Sequence, residues 1–384
     1  MPLCLADPPA LLLTRLTLSA FRNYAGLVWR PAGRIAVLTG PNGCGKTNLL
    51  EAISLLVPGR GMRGARIADL AQHGAAIWGV AGRFDTPAGA LEIGTGTPPD
   101  GPADRRVFRL DGAAPRSQAE LAQRIAAVWL TPQMDRLFQE GAAGRRRFLD
   151  RLAYALEPAH VREIAAFDTA MAQRNRLLAE LRPDPSWLAA IEETMARHAV
   201  AATAARATLA GRLNAAPPAG AFPAARLALI CPIGDRLAAD PALAVEDWLR
   251  ARYADQRARD AATGSTATGP HRADLALADA ATGLAAALAS TGQQKALLIG
   301  VILAHAALLA QTRLFAPLLL LDEPAVHLDA GRRAALFDVL RHGPAQVFMT
   351  GTDQDVFDPI REDSEILGIK DGALCGELPI ERQA

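Results

Sequence analysis

The chain has 384 residues, of which 50% are hydrophobic and 21% are charged. This length and composition exclude a disordered tail and a fibrous protein, and they leave room for one large domain with a second inserted into it. The formal net charge of +1 points to no class of partner, so a nucleic-acid binder would need a local basic face. The 4 cysteines show no CxxC spacing, which argues against structural zinc and disulfides and suits a reducing cytoplasm.

Two features argue against export and membrane insertion. The N-terminal segment carries Asp7 and Pro8-Pro9 instead of a basic segment followed by an apolar run. The most apolar stretch, from Leu297 to Ala310, is too short to span a bilayer and contains His305, so it predicts a buried helix. We therefore expect a cytoplasmic protein without a membrane partner.

The first part of the chain predicts a mixture of strands and helices. Residues 11–18 and 34–39 are typical of strands, and a helix is expected from Thr47 to about Val57. Short β-like segments follow between residues 76 and 112. The last of them runs into Asp111-Gly112, a common hairpin turn signal.

The middle of the chain has a different texture. Residues 144–216 follow an Ala-, Arg- and Leu-rich helical pattern that the run 183–185 (Pro-Asp-Pro) interrupts, which predicts a helical hairpin. At 1.5 Å per residue its limbs would each be about 30–40 Å long. Residues 215–224 and 261–270, rich in Ala, Pro, Gly and Thr, are predicted to connect this hairpin to the main domain.

Residues 40–47, GPNGCGKT, match the phosphate-binding pattern GxxxxGK[ST] between a predicted strand and a predicted helix. Glycines let the backbone N–H groups turn toward phosphate oxygens, and the following helix adds its positive end. Lys46 is predicted to reach the β- and γ-phosphates of ATP, and Thr47 to ligate Mg²⁺. The predicted nucleotide contacts in this segment are Gly40, Pro41, Asn42, Gly43, Cys44, Gly45, Lys46, Thr47 and Asn48.

Residues 317–324, PLLLLDEP, form an apolar run that ends in two acids, as in a buried parallel strand. Asp322 is predicted to hold Mg²⁺ through water. Glu323 is predicted to be catalytic together with Lys46, by orienting or deprotonating the attacking water. The alternative is a strand that merely exits to solvent through two acids.

Residues 289–295, ASTGQQK, resemble the ABC signature, in which a serine hydroxyl and a glycine N–H clamp the γ-phosphate bound to the opposite subunit. Ser290, Gly292 and Gln293 are the predicted nucleotide contacts, at the start of a helix whose dipole favours phosphate. The alternative is an ordinary serine N-cap. The order of P-loop, signature and acidic strand predicts an ABC-type ATPase with half-sites completed by a second copy.

These motifs predict an α/β fold: an ABC-type P-loop ATPase head with a mixed β-sheet and an inserted, mostly α-helical arm. The first part of the head is expected at 1–143, the arm at 144–268 and the second part of the head at 269–384. The short loop with Leu328-Asp329 would face the partner subunit.

Several further blocks resemble the RecF family, and the resemblance covers most of the chain. The blocks are FRNY at 21–24, GPNGCGKTNLLEAI at 40–53, GRGMR at 59–63, RRRFLDR at 145–151, QRNRLL at 173–178, GPHRADL at 269–275, STGQQK at 290–295, LLLLDEPAVHLD at 318–329 and QVFMTGTD at 346–353. The resemblance implies a weak, DNA-stimulated ATPase that is cytoplasmic and nucleoid-associated. It also implies an ATP-dependent homodimer that binds gapped or single-strand/double-strand junction DNA and acts with RecR and RecO to place RecA.

Some positions depart from the family pattern. The acidic pair is Asp322-Glu323, where the family often shows two aspartates. Residues 132–135 are Pro-Gln-Met-Asp, where the family more often shows Pro-Glu-Asp, so either Gln133 or Asp135 is predicted to contact Mg²⁺ or water. Either Thr350 or Thr352 is expected where transporter ATPases use a histidine to sense phosphate.

The predicted DNA contacts rest on arginines. Residues 145–182 hold eight arginines against five acids, and Arg145, Arg146 and Arg147 are adjacent, as suits contacts to phosphates without reading of bases. A solvated helix face is an equal alternative. Arg60 and Arg63, kept in the GRGMR block, are expected to face either phosphate or DNA.

Three other classes of protein share part of this pattern. A transporter ATPase has the same nucleotide motifs, but here 250 positions separate Gly40 from Ser290, more than a transporter domain needs. An SMC-like tether needs coiled-coil arms of hundreds of residues, and this insert is too short. A P-loop kinase for a small molecule leaves the signature unexplained.

Overall fold

The computed structural model describes residues 10–370 and 372–375, so the N-terminal segment with Asp7, Pro8-Pro9 and Cys4 lies outside the described residues. The chain forms two compact units. The first runs to Arg136, includes Pro217–Ala224 and resumes at Ser290, whereas the second comprises Leu137–Ala216 and Ala225–Ala289. The sequence predicts that residues 137–143 and 269–289 belong to the ATPase head, but they pack with the second unit. Residues 217–224, predicted as part of the arm, pack with the first unit.

The described part of the chain contains the following strands and α-helices. The strands are β1 (Leu12–Phe21), β2 (Tyr24–Trp29), β3 (Ile35–Thr39), β4 (Gly79–Thr86), β5 (Gly89–Gly96), β6 (Val107–Leu110), β7 (Ala127–Leu130), β8 (Ala225–Ile230), β9 (Asp274–Asp279), β10 (Leu318–Leu321), β11 (Val347–Gly351), β12 (Glu365–Lys370) and β13 (Ala373–Cys375). The helices are α1 (Lys46–Leu55), α2 (Gln118–Arg124), α3 (Ala142–Leu156), α4 (His160–Leu178), α5 (Pro185–Ala215), α6 (Pro232–Leu237), α7 (Ala242–Asp255), α8 (Arg257–Thr263), α9 (Thr291–Arg313) and α10 (Ala330–His342).

A mixed six-stranded sheet forms the centre of the first unit, in the order β13-β12-β3-β11-β10-β7. All neighbours are parallel except β12 and β13. The strands β3, β10 and β11 are buried at every residue, as their continuous apolar sequences predict for central parallel strands. Because β3, β11 and β10 are consecutive and parallel, the loops that follow them emerge at one edge of the sheet.

A second, five-stranded sheet in the first unit is antiparallel, in the order β2-β1-β4-β5-β6. The predicted hairpin at Asp111-Gly112 is wrong in part. The chain does turn there, but it forms only an isolated antiparallel bridge between Leu110 and Ala113 and no second strand. Pro115 follows closely and has no N–H for a strand ladder, which explains why no second strand forms.

The apolar helix α9 is longer than the predicted stretch from Leu297 to Ala310. It begins directly after Ser290, which caps it, and continues to Arg313 over 23 residues. By length and composition it is the one helix of the described part that could cross a membrane, but 78% of its most apolar window is buried inside the protein. Its apolar character therefore fits a core helix, whose side chains pack within the unit.

The second unit contains a helical hairpin, as the sequence predicts, but the predicted first limb is wrong in part, because Pro158 lies in a break that divides it into α3 and α4. The limbs of the hairpin are α4 and α5, of 19 and 31 residues, and Asp184 caps α5 by accepting from the N–H groups of Ser186 and Trp187. At 1.5 Å per residue α4 and α5 are about 28 and 46 Å long, which differs from the two equal limbs of about 30–40 Å that were expected. Buried side chains that include Phe167, Met195 and Leu249 form the apolar core between the helices. The antiparallel pair β8–β9, which the sequence did not predict, also belongs to this unit.

The QRNRLL block contributes a polar centre to the second unit. Arg174 has no exposed surface, and its guanidinium donates to Glu192 Oε1 (2.9 Å) and Asp260 Oδ2 (2.7 Å). It also donates to the backbone oxygen of Tyr253 at 2.8 Å. A buried charge is tolerated only when it is paired and hydrogen-bonded. The arginine of the QRNRLL block therefore has a structural role inside the second unit.

We expect Arg174→Met to lower the free energy of unfolding by about 3–5 kcal/mol, because the buried Asp260 loses its ion pair with Arg174, whereas Glu192 keeps its pair with Arg257. Chemical denaturation followed by circular dichroism measures the change. The control is Arg182→Met at an exposed position, which should change the free energy of unfolding by less than about 0.5 kcal/mol. Equal effects of the two substitutions would contradict the assignment.

Candidate nucleotide site

The P-loop occupies the turn between β3 and α1, and its glycines adopt backbone angles that other residues avoid. Gly43 and Gly45 have φ of 83° and 115°. A Cβ atom on Gly45 would lie 2.4 Å from Asn23 Nδ2, so both the conformation and the space require glycine there. The turn therefore brings backbone closer to its surroundings than a side chain would permit.

Lys46 lies inside this loop. Its side chain is only 5% exposed, and Nζ donates to the backbone oxygens of Gly40 at 2.6 Å and Pro41 at 3.0 Å. The ammonium thus sits within the curl of the loop, at the first residue of α1. This position fits the predicted contact between Lys46 and the terminal phosphates.

The FRNY block, which spans the turn between β1 and β2, supports the loop, a role that sequence reasoning missed. Asn23 Nδ2 donates to the backbone oxygen of Cys44, and the Tyr24 hydroxyl donates to that of Gly45, both at 3.0 Å. Burial raises the pKa of Tyr24 above its ordinary value, so its hydroxyl stays a donor. Asn23 Oδ1 in turn accepts from Asn48 Nδ2 at 2.8 Å, which ties α1 to the same block.

The acidic strand and the P-loop meet through hydroxyl groups. Thr47 Oγ1 lies 3.0 and 3.1 Å from the two carboxylate oxygens of Asp322 and donates to this group. Thr350 Oγ1, at the end of β11, donates to Asp322 Oδ1 at 2.7 Å and accepts from the N–H of Glu323 at 2.9 Å. Of the two threonines considered for the closing strand, Thr350 is fully buried here, whereas Thr352 is exposed.

Glu323 lies two residues after the end of β10 and has an unusual backbone conformation. Its φ is 50°, in the left-handed region, which costs of the order of 1–3 kcal/mol for a residue other than glycine. Its side chain is partly exposed. The acid therefore does not simply continue the strand into solvent, and its backbone must be held by neighbouring groups.

Gln133 and Asp135, the two alternatives for contact with Mg²⁺ or water, have different surroundings in the segment after β7. Gln133 is exposed on a short 3₁₀ turn. Asp135 on the same turn accepts from Lys295 Nζ at 3.1 Å, and its other oxygen is buried without a hydrogen-bond partner. Contact of Gln133 with Mg²⁺ stays a prediction, and Asp135 is engaged by the signature helix.

The signature forms the start of α9. Ser290 Oγ accepts from the N–H of Gln293 at 3.3 Å, while Gln293 Oε1 accepts from the N–H of Ser290 at 2.9 Å, which completes a capping box. Ser290 and Gln293 are both exposed, and a Cβ on Gly292 would lie 3.0 Å from the backbone oxygen of His327. The N-cap alternative is therefore realised, and contact with a partner's phosphate stays a prediction.

The donor atoms at this edge fit Mg²⁺. Thr47 and Asp322 place hydroxyl and carboxylate oxygens side by side. Among the described residues, no cluster of three or more His, Cys, Asp or Glu side chains could hold a metal ion by itself. Mg²⁺ prefers oxygen ligands and is commonly bound by one or two protein groups together with substrate phosphates. The arrangement therefore suits a magnesium ion that accompanies a nucleotide.

The arginines of the GRGMR block differ in their surroundings. Arg63 Nη1 donates to Asn48 Oδ1 at 2.9 Å and lies 3.6 Å from Glu51, the acid that also pairs with Arg22. Arg60 is exposed. Arg63 therefore borders the start of α1, beside the P-loop, and neither arginine is assigned to DNA by these contacts.

In the second unit, two of the three adjacent arginines bind within the unit. Arg145 donates to both carboxylate oxygens of Asp274, at 2.7 and 2.9 Å, and this hydrogen bonding lowers the pKa of Asp274. Arg146 donates to the backbone oxygen of Ala273 at 2.8 Å, and burial lowers its pKa. Arg147 is exposed. DNA contact stays a prediction, and among these three Arg147 is the one that presents itself to solvent.

The comparisons with known proteins agree with one another. The family model for the RecF/RecN/SMC N-terminal domain matches residues 12–373. The curated DNA replication and repair protein RecF from Rhizobium meliloti is 47% identical, covering 96% of this chain and all of the relative, and that from Rhizobium etli (strain CIAT 652) is 45% identical over the same shares.

Solved structures show the same fold at lower identity. One described as the recombination mediator protein RecF-ATP in the RecFOR pathway has a TM-score of 0.84 at 22% identity, covering 98% of this chain and 100% of that chain. A Smc head domain with an extended coiled coil, from Pyrococcus furiosus, has a TM-score of 0.51 at 17% identity, covering 95% of both chains. By its family model and its near full-length relatives, the chain belongs to the RecF family of DNA replication and repair proteins.

Proposed function

We propose that the chain is an ATP-dependent DNA-binding protein of recombinational repair and replication maintenance, which hydrolyses ATP weakly. The observation that carries the nucleotide chemistry is the hydrogen-bonded series from Thr47 through Asp322 to Thr350 and the backbone of Glu323. It brings the P-loop helix and the acidic strand to one edge of the sheet. The relatives' name supplies the link to DNA replication and repair.

The residues at this edge of the sheet would act in phosphoryl transfer, which depends on positioning and charge stabilisation. Lys46 supplies positive charge inside the loop. Thr47 and Asp322 would hold Mg²⁺, which neutralises phosphate charge when bound. Glu323 would orient the attacking water or accept its proton.

The second half of the proposal is an ATP-dependent homodimer. Ser290 and Gln293 are exposed at the positive end of α9, where they are available to a second molecule. In a two-fold symmetric pair, each ATP would lie between the P-loop of one chain and the signature of the other. We propose RecR and RecO as partners, because the similar solved protein is described in the RecFOR pathway, and gapped or junction DNA as the site where RecA is placed.

The alternatives have less support. Family membership over residues 12–373 favours a repair ATPase over a transporter subunit or a small-molecule kinase. The inserted hairpin also ends within the second unit, with limbs of 19 and 31 residues, so it forms no long coiled-coil tether. We place the protein in the cytoplasm, associated with the nucleoid.

The role of Glu323 predicts a specific defect. Glu323→Gln should bind ATP with unchanged affinity but hydrolyse it roughly 10²–10⁴-fold more slowly, because the base is lost. Titration of a fluorescent ATP analogue and phosphate release measure the two quantities. The ATP-bound dimer should accumulate on a sizing column, and a persistent monomer at saturating ATP would contradict the dimer.

The composite site predicts complementation between two inactive variants. Lys46→Ala removes the charge of the P-loop, and Ser290→Arg blocks the signature, so each homodimer has two broken sites. A mixed dimer has one intact site, and mixing should restore ATP hydrolysis below the wild-type level.

The controls for this experiment are folding and mixed-dimer formation. Ser290→Arg also removes a helix cap, at a cost of about 1 kcal/mol, so its thermal unfolding is measured first. Mixed dimers that hold ATP in the intact site without hydrolysing it would exclude independent composite sites. Normal hydrolysis by Ser290→Arg alone would show that the signature assignment is wrong.

The exposed arginine predicts an electrostatic effect on DNA binding. Arg147→Ala should weaken binding to gapped DNA in the presence of ATP and reduce the salt slope by about one phosphate contact. Fluorescence anisotropy across a salt series measures this change. Nucleotide affinity without DNA should stay unchanged, and an unaltered salt slope would return Arg147 to a solvated helix face.

A further inference from the structure

Lys295 is one of three lysines in a chain whose lysines and arginines number 41. It lies near the start of α9, five residues after the serine of the signature, and its side chain is only 1% exposed. An ammonium is compact, whereas a guanidinium is a planar fork with a fixed geometry. A buried ammonium needs acceptor groups close to it, and these identify the role of Lys295.

Two loops of the first unit supply its acceptors. Lys295 Nζ donates to Asp135 Oδ2, on the turn after β7, and to the backbone oxygen of Glu323, after β10, both at 3.1 Å. The carboxylate of Asp135 supplies the opposite charge that a buried ammonium requires. The second contact is directed at the backbone of the proposed catalytic acid.

That backbone needs support. Glu323 has φ of 50°, although Pro324 follows it and the residue before a proline favours an extended conformation. Its N–H is held by Thr350 Oγ1 at 2.9 Å, and its carbonyl by Lys295 Nζ. Side chains from β11 and α9 therefore hold both backbone polar groups of this residue, which fixes the direction of the Cα–Cβ bond from which its carboxylate extends.

We propose that Lys295 is a positioning residue for Glu323, and that it links the signature helix to the base of the same chain. The inference rests on the proposed ATPase function and adds a residue that acts through the backbone of Glu323. The competing explanation is that Lys295 only neutralises Asp135. The two explanations differ in whether the effect of Lys295 passes through Glu323.

A double-mutant cycle separates them. Lys295→Met should lower kcat by up to about 100-fold, the loss expected when a reacting group is misplaced by about 1 Å, with the affinity for a fluorescent ATP analogue unchanged. In the Glu323→Gln background the same substitution should cause no further loss, because the group that it positions is already gone. Single-turnover assays with excess protein keep the slow variants measurable.

Two further variants guard against a folding defect. The double substitution Asp135→Asn, Lys295→Met removes both charges together, so no carboxylate is left without a counter-charge, and it should show the same dependence on Glu323. The matched control is Gln311→Met on the exposed last turn of the same helix, with turnover as in the wild type. Thermal unfolding of each variant is recorded.

The outcomes are distinct. Equal losses from Lys295→Met in the wild-type and Glu323→Gln backgrounds would overturn the positioning role, as would wild-type turnover by Lys295→Met beside a slow Glu323→Gln. In both cases the proposed ATPase would stand. Wild-type turnover by Glu323→Gln would overturn the role of Glu323 in the proposed function and the positioning role together.

Discussion

Asp322 brings a carboxylate into the interior of the first unit, where only 3% of the residue is exposed. Burial of such a group is costly unless hydrogen bonds replace those of water. Thr47 and Thr350 provide them, from the P-loop helix and from β11. The same two hydroxyls therefore satisfy the buried acid and fix the spacing between the phosphate-binding loop and the acidic strand, on which the remaining site geometry depends.

Thr350 extends this constraint to the next residue. Its hydroxyl donates to Asp322 and accepts from the N–H of Glu323, so the orientation of one hydroxyl is determined by both neighbours. Cooperative hydrogen bonding of this kind favours a single arrangement of a buried polar group. The left-handed backbone of Glu323 follows from such contacts and could not arise from its local sequence, in which proline comes next.

The sequence predicted those parts of the site that a local pattern encodes. The P-loop, the buried strand before Asp322 and the capped start of α9 each depend on residues within one short segment. The pairing of Arg145 with Asp274 joins positions 129 apart, and that of Lys295 with Asp135 joins positions 160 apart. Neither has a local signature, so the sequence left Arg145 between DNA and a solvated helix face, and left Asp135 and Gln133 as alternatives for contact with Mg²⁺ or water.

The first turn of α9 carries two kinds of constraint. Ser290 and Gln293 satisfy each other's polar groups at its exposed end, so contact with a phosphate would exchange the cap, worth about 1 kcal/mol, for a charge-assisted hydrogen bond of greater strength. A Cβ atom on Gly292 would lie 3.0 Å from the backbone oxygen of His327, so a side chain at this position would crowd that loop. Because Lys295 on the same helix donates to the backbone oxygen of Glu323, a displacement of the cap in the proposed dimer would reach the proposed base of the same chain. The nucleotide clamped by one chain's signature would then influence the half-site built on that chain's own P-loop.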